Sequence, residues 1–233
     1  MAKKLFITGT GTDIGKTYVT GLIIKKLQEY RKNPAYYKAA MSGNEADKSG
    51  KLIPGDALFV KNMAHIEQPL DSMCSYIYKN AVSPHLASRI EGNPVKLEVV
   101  KQGYEDLCRT YDYITMEGSG GILCPICYDE AKIQLEDIIK ELDMPCLIIA
   151  DAGLGTINSV VLTVEYMKNR GISIQGIIFN HYHPGDVMEE DNRRMCEEMT
   201  GLKVISCVSD DDTELDIDID TLLSLYTDEN GGI

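Results

Sequence analysis

Hydrophobic positions in this chain fall into short unbroken runs, separated by longer stretches in which they recur every three or four residues. Residues 3–8 (KKLFIT) are the first run and predict a buried strand. Val19, Leu22, Ile23, Ile24 and Leu27 then form an apolar stripe on a helix from about Lys16 to Tyr30. Further strands are predicted at 35–40, 112–116, 145–150, 174–179 and 203–208, with helical periodicity at 97–109, 133–142, 157–169 and 188–199. Strands alternating with amphipathic helices predict βαβ units and a mostly parallel sheet covered on both faces. Neither an internal repeat nor a low-complexity linker interrupts the pattern, so the expected organisation is one α/β domain over residues 1–233.

In such sheets ligands bind where the carboxyl ends of the strands open into loops. Gly9-Thr10-Gly11-Thr12-Asp13-Ile14-Gly15-Lys16-Thr17 follows the first run. Glycines let backbone N–H groups curl around phosphate oxygens, the next helix presents its positive end, and Lys16 adds a point charge. Thr17 has the type and place to ligate a Mg²⁺ ion shared with the phosphates. A strict P-loop has four residues between its glycines; here Thr10 stands where the first is expected and Gly9 lies one residue earlier. The reading is a nucleotide site of uncommon loop length.

Glu117 ends the 112–116 run, where P-loop enzymes place an acidic metal partner, and Gly118-Ser119-Gly120-Gly121 follow it. Asp56 begins a helical stretch, where by itself it reads as a helix cap or a solvated carboxylate. Lys38 is a charge inside an apolar strand just before Ser42-Gly43. It reads either as a lysine snorkelling from an edge strand or as a cation aimed at developing negative charge.

The opening loop, YKAAMSG (37–43), GDA (55–57), SPH (83–85), MEGSGG (116–121) and GLGTIN (153–158) together resemble the dethiobiotin synthetase family, in its order over residues 3–180. The resemblance implies a P-loop α/β fold, a homodimer, and an ATP- and Mg²⁺-dependent ligase that closes a ureido ring on diaminopelargonate with CO2. It implies that Thr12, Lys16 and Lys38 stabilise carbamate and transferring phosphoryl oxygens, and that Thr17, Asp56 and Glu117 hold Mg²⁺. Asp13, Ile14, Gly15, Lys16, Thr17 and Tyr18 would bind the nucleotide phosphates and Asn180 its base. Ser42, Lys38, Gly118, Ser119 and Gly120 would contact the diamine, and Gly155, Thr156 and Asn158 its carboxylate tail across a dimer interface. The sequence departs from the family at Gly11, where many members carry an acid. It departs again at Ser206-Cys207-Val208-Ser209, which replaces a Gly-x-x-Pro turn that packs on the base and leaves base preference open.

Charge narrows the partners. Lysine and arginine number 23 against 36 acids, a formal charge of −13, which disfavours nucleic acid and anionic membranes. Seven cysteines, odd in number and without a regular framework, predict reduced thiols in a cytoplasmic protein. Cys124-Pro125-Ile126-Cys127 lacks the second pair of a metal site, and His181-Tyr182-His183 lacks a third ligand, so both read as structural. His85 reads as a helix-start residue, and the acidic run 210–220 with Leu215, Ile217 and Ile219 as a structural edge. Two rivals stand beside the ligase: a partitioning or cell-division ATPase switch of the ParA/MinD kind, and a plain nucleotide binder. Switch proteins of that superfamily usually carry an extra lysine early in the loop, where this chain has Thr10 and Gly11.

Overall fold

The computed structural model describes residues 2–228. In β1 (Lys3–Gly9) Leu5 and Ile7 face one side of the sheet and Phe6 the other, all fully buried. Burial on both faces is why the run shows no polar alternation. The chain continues through α1 (Lys16–Glu29), β2 (Pro34–Met41), α2 (Gly55–Ala64), β3 (Cys74–Ile77), α3 (Pro84–Ile90), α4 (Leu97–Cys108) and β4 (Tyr113–Glu117). A hairpin of β5 (Pro125–Tyr128) and β6 (Lys132–Gln134) leads into α5 (Leu135–Glu141) and β7 (Cys146–Asp151). Then come α6 (Thr156–Asn169), β8 (Ile174–Asn180), α7 (Val187–Thr200), β9 (Val204–Cys207), α8 (Ile219–Ser224) and β10 (Thr227–Asp228).

Seven strands pair in parallel in the order β3-β2-β4-β1-β7-β8-β9. Pairing of β1 with β7 begins at Phe6, which leaves Lys3 and Lys4 to take β10 antiparallel. Helices α1, α2 and α8 cover one face, where Val19, Leu22 and Leu222 pack on Leu5, Leu147 and Ile178. The other face is covered by α4 to α7, with Tyr104, Ile138, Val164 and Cys196 packed on Phe6, Ile148 and Phe179. Among the described residues no helix is long and apolar enough to cross a membrane.

The structure adds strands β3, β5, β6 and β10 and helix α8 to the sequence expectation and shifts the start of α5. Strand β3 has no apolar run because it is a four-residue edge with only Cys74 and Tyr76 buried. Helix α5 starts at Leu135 rather than 133, because Ile133 and Gln134 pair with β5 and Gln134 N donates to Asp137 Oδ2 at 2.8 Å. Strand β10 and helix α8 also lie in a tail too short and acidic to signal them. Within that tail Leu215 and Ile217 are buried and Asp216 and Asp218 exposed, yet the segment pairs with no strand; Ser206 Oγ of β9 donates to Asp216 O at 3.0 Å instead.

Candidate active site

Sheet register places the central charges. Lys38 of β2 lies directly across from Glu117 of β4, which lies across from Ile7 of β1. Cross-strand partners present their side chains to the same face. Lys38 Nζ accordingly donates to Glu117 Oε1 at 2.7 Å and, from the same buried position, to Asp56 Oδ2 at 2.7 Å. Burial by itself pushes the Lys38 ammonium toward losing its proton, but Glu117 and Asp56 outweigh it and hold its pKa above the ordinary lysine value.

Asp56 arrives on the first turn of α2. Asn44 fixes that helix start: its Oδ1 accepts from Gly55 N at 2.9 Å, and its Nδ2 donates to Met41 O at 3.0 Å and Tyr78 O at 2.9 Å. Asn44→Ala takes away the acceptor of Gly55 N and one of the two donors to each of Met41 O and Tyr78 O, which keep their backbone N–H donors. It is expected to lower stability by about 2 kcal/mol in urea unfolding and to release the start of α2.

On α1, Gly15 takes φ 81° and no side chain caps the helix, so the first-turn N–H groups remain available to an anion. Lys16 is 8% exposed and its Nζ donates to Gly11 O at 2.7 Å. Burial lowers the Lys16 pKa below the usual value, with Glu117 opposing. Thr17 Oγ1 donates to Glu117 Oε1 at 2.8 Å, and Tyr36 Oη to Glu117 Oε2 at 3.1 Å. Glu117, 1% exposed, therefore collects donors on both oxygens. A Cβ on Gly15 would lie 2.0 Å from Asn180 Nδ2, whose own bond is to Ile14 O at 3.1 Å. Gly15→Ala combines that clash with a left-handed backbone, and a loss of about 2–3 kcal/mol is expected in thermal unfolding.

A cavity of about 700 Å³ opens at this edge, lined by Thr12, Asp13, Gly15, Lys16, Thr17, Lys38, Ser42, Asp56, Glu117, Ser119 and Gly120. A second, of about 180 Å³, shares Gly15 and is lined by Tyr18, Asn180, His181 and Asp210. Gly118 stays buried behind the first, its N–H donating to Ile7 O at 2.9 Å. Ile14 lines neither cavity; its carbonyl holds Asn180. Gly155, Thr156 and Asn158 lie at the start of α6 outside both cavities, and Thr156 Oγ1 is buried without a hydrogen-bond partner among the described residues.

Sequence reasoning missed Tyr36 and the wall residues Ala81, Val82 and Cys124; Ser83 and Pro84, inside the SPH motif, line the same wall. Of the missed residues only Tyr36 carried a signal, since it stands two residues before Lys38 on one strand. Cys124 lines the cavity while Cys127 is buried in the hairpin. His181 pairs with Asp151 at 2.8 Å and His183 with Glu189 at 2.9 Å.

Among the described residues no three His, Cys, Asp or Glu side chains converge as a metal cage. The carboxylates of Asp56 and Glu117 with the Thr17 hydroxyl make an open oxygen set that already holds a cation, the Lys38 ammonium. That donor set fits a hard divalent ion sharing its remaining positions with phosphate.

Comparisons with known proteins bear on the fold and the family. A family model described as an AAA domain matches residues 3–214. Among solved structures, the MinC:MinD cell division complex of Aquifex aeolicus aligns over 96% of this chain and 86% of its own, with TM-score 0.57 and 13% identity. A ParA family ATPase from Chlorobium tepidum aligns over 96% and 89%, with TM-score 0.52 and 14% identity. At that identity the likeness carries the P-loop fold alone. The ATP-dependent dethiobiotin synthetase of Brachyspira hyodysenteriae is 54% identical over 217 residues, 93% of this chain and 96% of that protein. That of Clostridium botulinum strain Langeland is 46% identical over 226 residues, 97% and 99%. Near-complete coverage at these identities shows the lineage, and the chain belongs to the ATP-dependent dethiobiotin synthetase family.

Proposed function

We propose that the protein closes a ureido ring on 7,8-diaminopelargonate with CO2 and ATP, giving dethiobiotin, ADP and phosphate. The observation that supports this beyond family membership is the buried Lys38, held between Glu117 and Asp56 beside the phosphate loop. A nucleotide switch has use for the loop and the acids but none for Lys38 with Ser42.

In the proposed reaction one amine captures CO2 as a carbamate. A carbamate oxygen attacks the γ-phosphorus and releases ADP, and the second amine then attacks the carbonyl carbon and expels phosphate. No protein nucleophile is required; the chain supplies position and charge. First-turn amides from Asp13 to Tyr18 cradle the phosphates, with Lys16 neutralising them. Lys38, released from its carboxylates, and Thr12 stabilise the carbamate and the transferring phosphoryl group. Ser42 and the 118–120 segment hold the diamine, and Asn180 meets the base. Thr17, Asp56 and Glu117 would hold Mg²⁺, which when bound neutralises phosphate charge.

Gly155, Thr156 and Asn158 remain for the carboxylate tail. They lie beside Leu154, which is 92% exposed, so a second copy of the chain is proposed to bring them to the first copy's cavity. A homodimer in the cytoplasm fits this reading.

Purified protein with Mg²⁺ and ATP is expected to release ADP only when diaminopelargonate and bicarbonate are both present. Diamine-independent turnover would favour a switch, and no turnover with any nucleoside triphosphate would sink the enzyme reading.

A further inference from the structure

The period of two in β2 puts Tyr36 and Lys38 on the same face. The Tyr36 ring is fully buried, and its hydroxyl holds Glu117 Oε2, the oxygen that Lys38 and Thr17 leave free. Gln68 pins the strand at this residue: its Oε1 accepts from Tyr36 N at 2.8 Å and its Nε2 donates to Tyr36 O at 2.9 Å. Tyr36 does not line the cavity, so whatever it does at the site passes through Glu117.

We propose that Tyr36 is a positioning residue for the cation site. It anchors one oxygen of Glu117 so that the other keeps its aim while the cation there changes from the Lys38 ammonium to a divalent ion. Without the anchor, the departure of Lys38 leaves a buried carboxylate with one donor, Thr17, and freedom to turn. Hydrogen bonds to a carboxylate are stronger than neutral ones, which suits the hydroxyl to this task. The proposal rests on the reading that Thr17, Asp56 and Glu117 hold Mg²⁺.

Tyr36→Phe removes one oxygen and keeps the ring. The full chain, with a non-hydrolysable ATP analogue, would be titrated with Mn²⁺ and the free ion followed by electron paramagnetic resonance. Affinity for Mn²⁺ is expected to fall about tenfold, with nucleotide affinity in the absence of metal and KM for the diamine each within about twofold of wild type. Tyr37→Phe is the control: that hydroxyl bonds Ser75 and the Val100 carbonyl, away from Glu117, so it should alter thermal stability and leave Mn²⁺ affinity alone.

Unchanged Mn²⁺ affinity in Tyr36→Phe, or an equal loss in Tyr37→Phe, overturns the proposal and leaves the ligase reading standing. A wild type that binds no Mn²⁺ with nucleotide overturns both the metal site and this proposal. One that binds Mn²⁺ as expected but forms no dethiobiotin overturns the ligase reading alone. The cycle of Tyr36→Phe with Glu117→Gln tests the route. The double variant should bind Mn²⁺ as weakly as Glu117→Gln does, and any further loss contradicts action through Glu117.

Discussion

Lys38→Met is expected to cut dethiobiotin formation by about a hundred- to a thousandfold while nucleotide binding stays within a few-fold of wild type. The ammonium is the positive side chain nearest both acids, and its two bonds of 2.7 Å are to carboxylates rather than to the phosphate loop. Removing it takes away charge stabilisation in the reaction without touching Gly15, Lys16 or the first turn of α1. It also leaves Glu117 buried beside Asp56 with no ammonium between them, a loss of about 3–5 kcal/mol by analogy with broken buried pairs. The variant should therefore unfold at lower temperature, and a divalent cation should restore more of its stability than it adds to the wild type. ADP release with product quantified, alongside titration with a fluorescent nucleotide, separates the two effects. Turnover within about tenfold of wild type would show that Lys38 is structural.

Glu117→Gln should have an effect of similar size for a different reason. The neutral side chain keeps the length and an acceptor for Tyr36 or Thr17, so the fold should survive. It removes one of two negative charges from the proposed metal set. Turnover is expected to fall about a hundredfold or more, and the Mg²⁺ concentration for half-maximal rate to rise about tenfold or more. A rate that falls with no change in metal requirement would assign Glu117 to holding Lys38 rather than the ion.

Much of this site could be read from residue order because it hangs on the ends of buried strands. The run into Gly9, the Gly15-Lys16-Thr17 turn and the acid ending β4 each stand where an apolar stretch stops, a signal local in sequence. The two ambiguous residues were ambiguous for non-local reasons. Lys38 could read as an edge lysine because β3, which makes β2 an interior strand, carries too few apolar residues to be seen. At 6% exposure, with both bonds to carboxylates, the residue does not snorkel. Asp56 could read as a helix cap, but α2 has no side-chain cap and the carboxylate turns to Lys38 instead. Tyr36 carried only its two-residue offset from Lys38 as a signal, because a tyrosine in a strand is ordinarily packing and its hydroxyl partner lies 81 positions away.

The register that sets Lys38 against Glu117 also bears on how the enzyme could change over evolutionary time. Those two residues are carried by adjoining strands inside a parallel sheet, where a slip of one residue would turn every side chain to the opposite face. An insertion there would separate Lys38 from Glu117. Ala81 to Pro84, with Ser119, Gly120 and Cys124, line the same cavity from loops and a helix start, where a change of length leaves the sheet register untouched. A lineage adapting to a longer or shorter diamine would be expected to rewrite those walls first and leave the charged floor untouched.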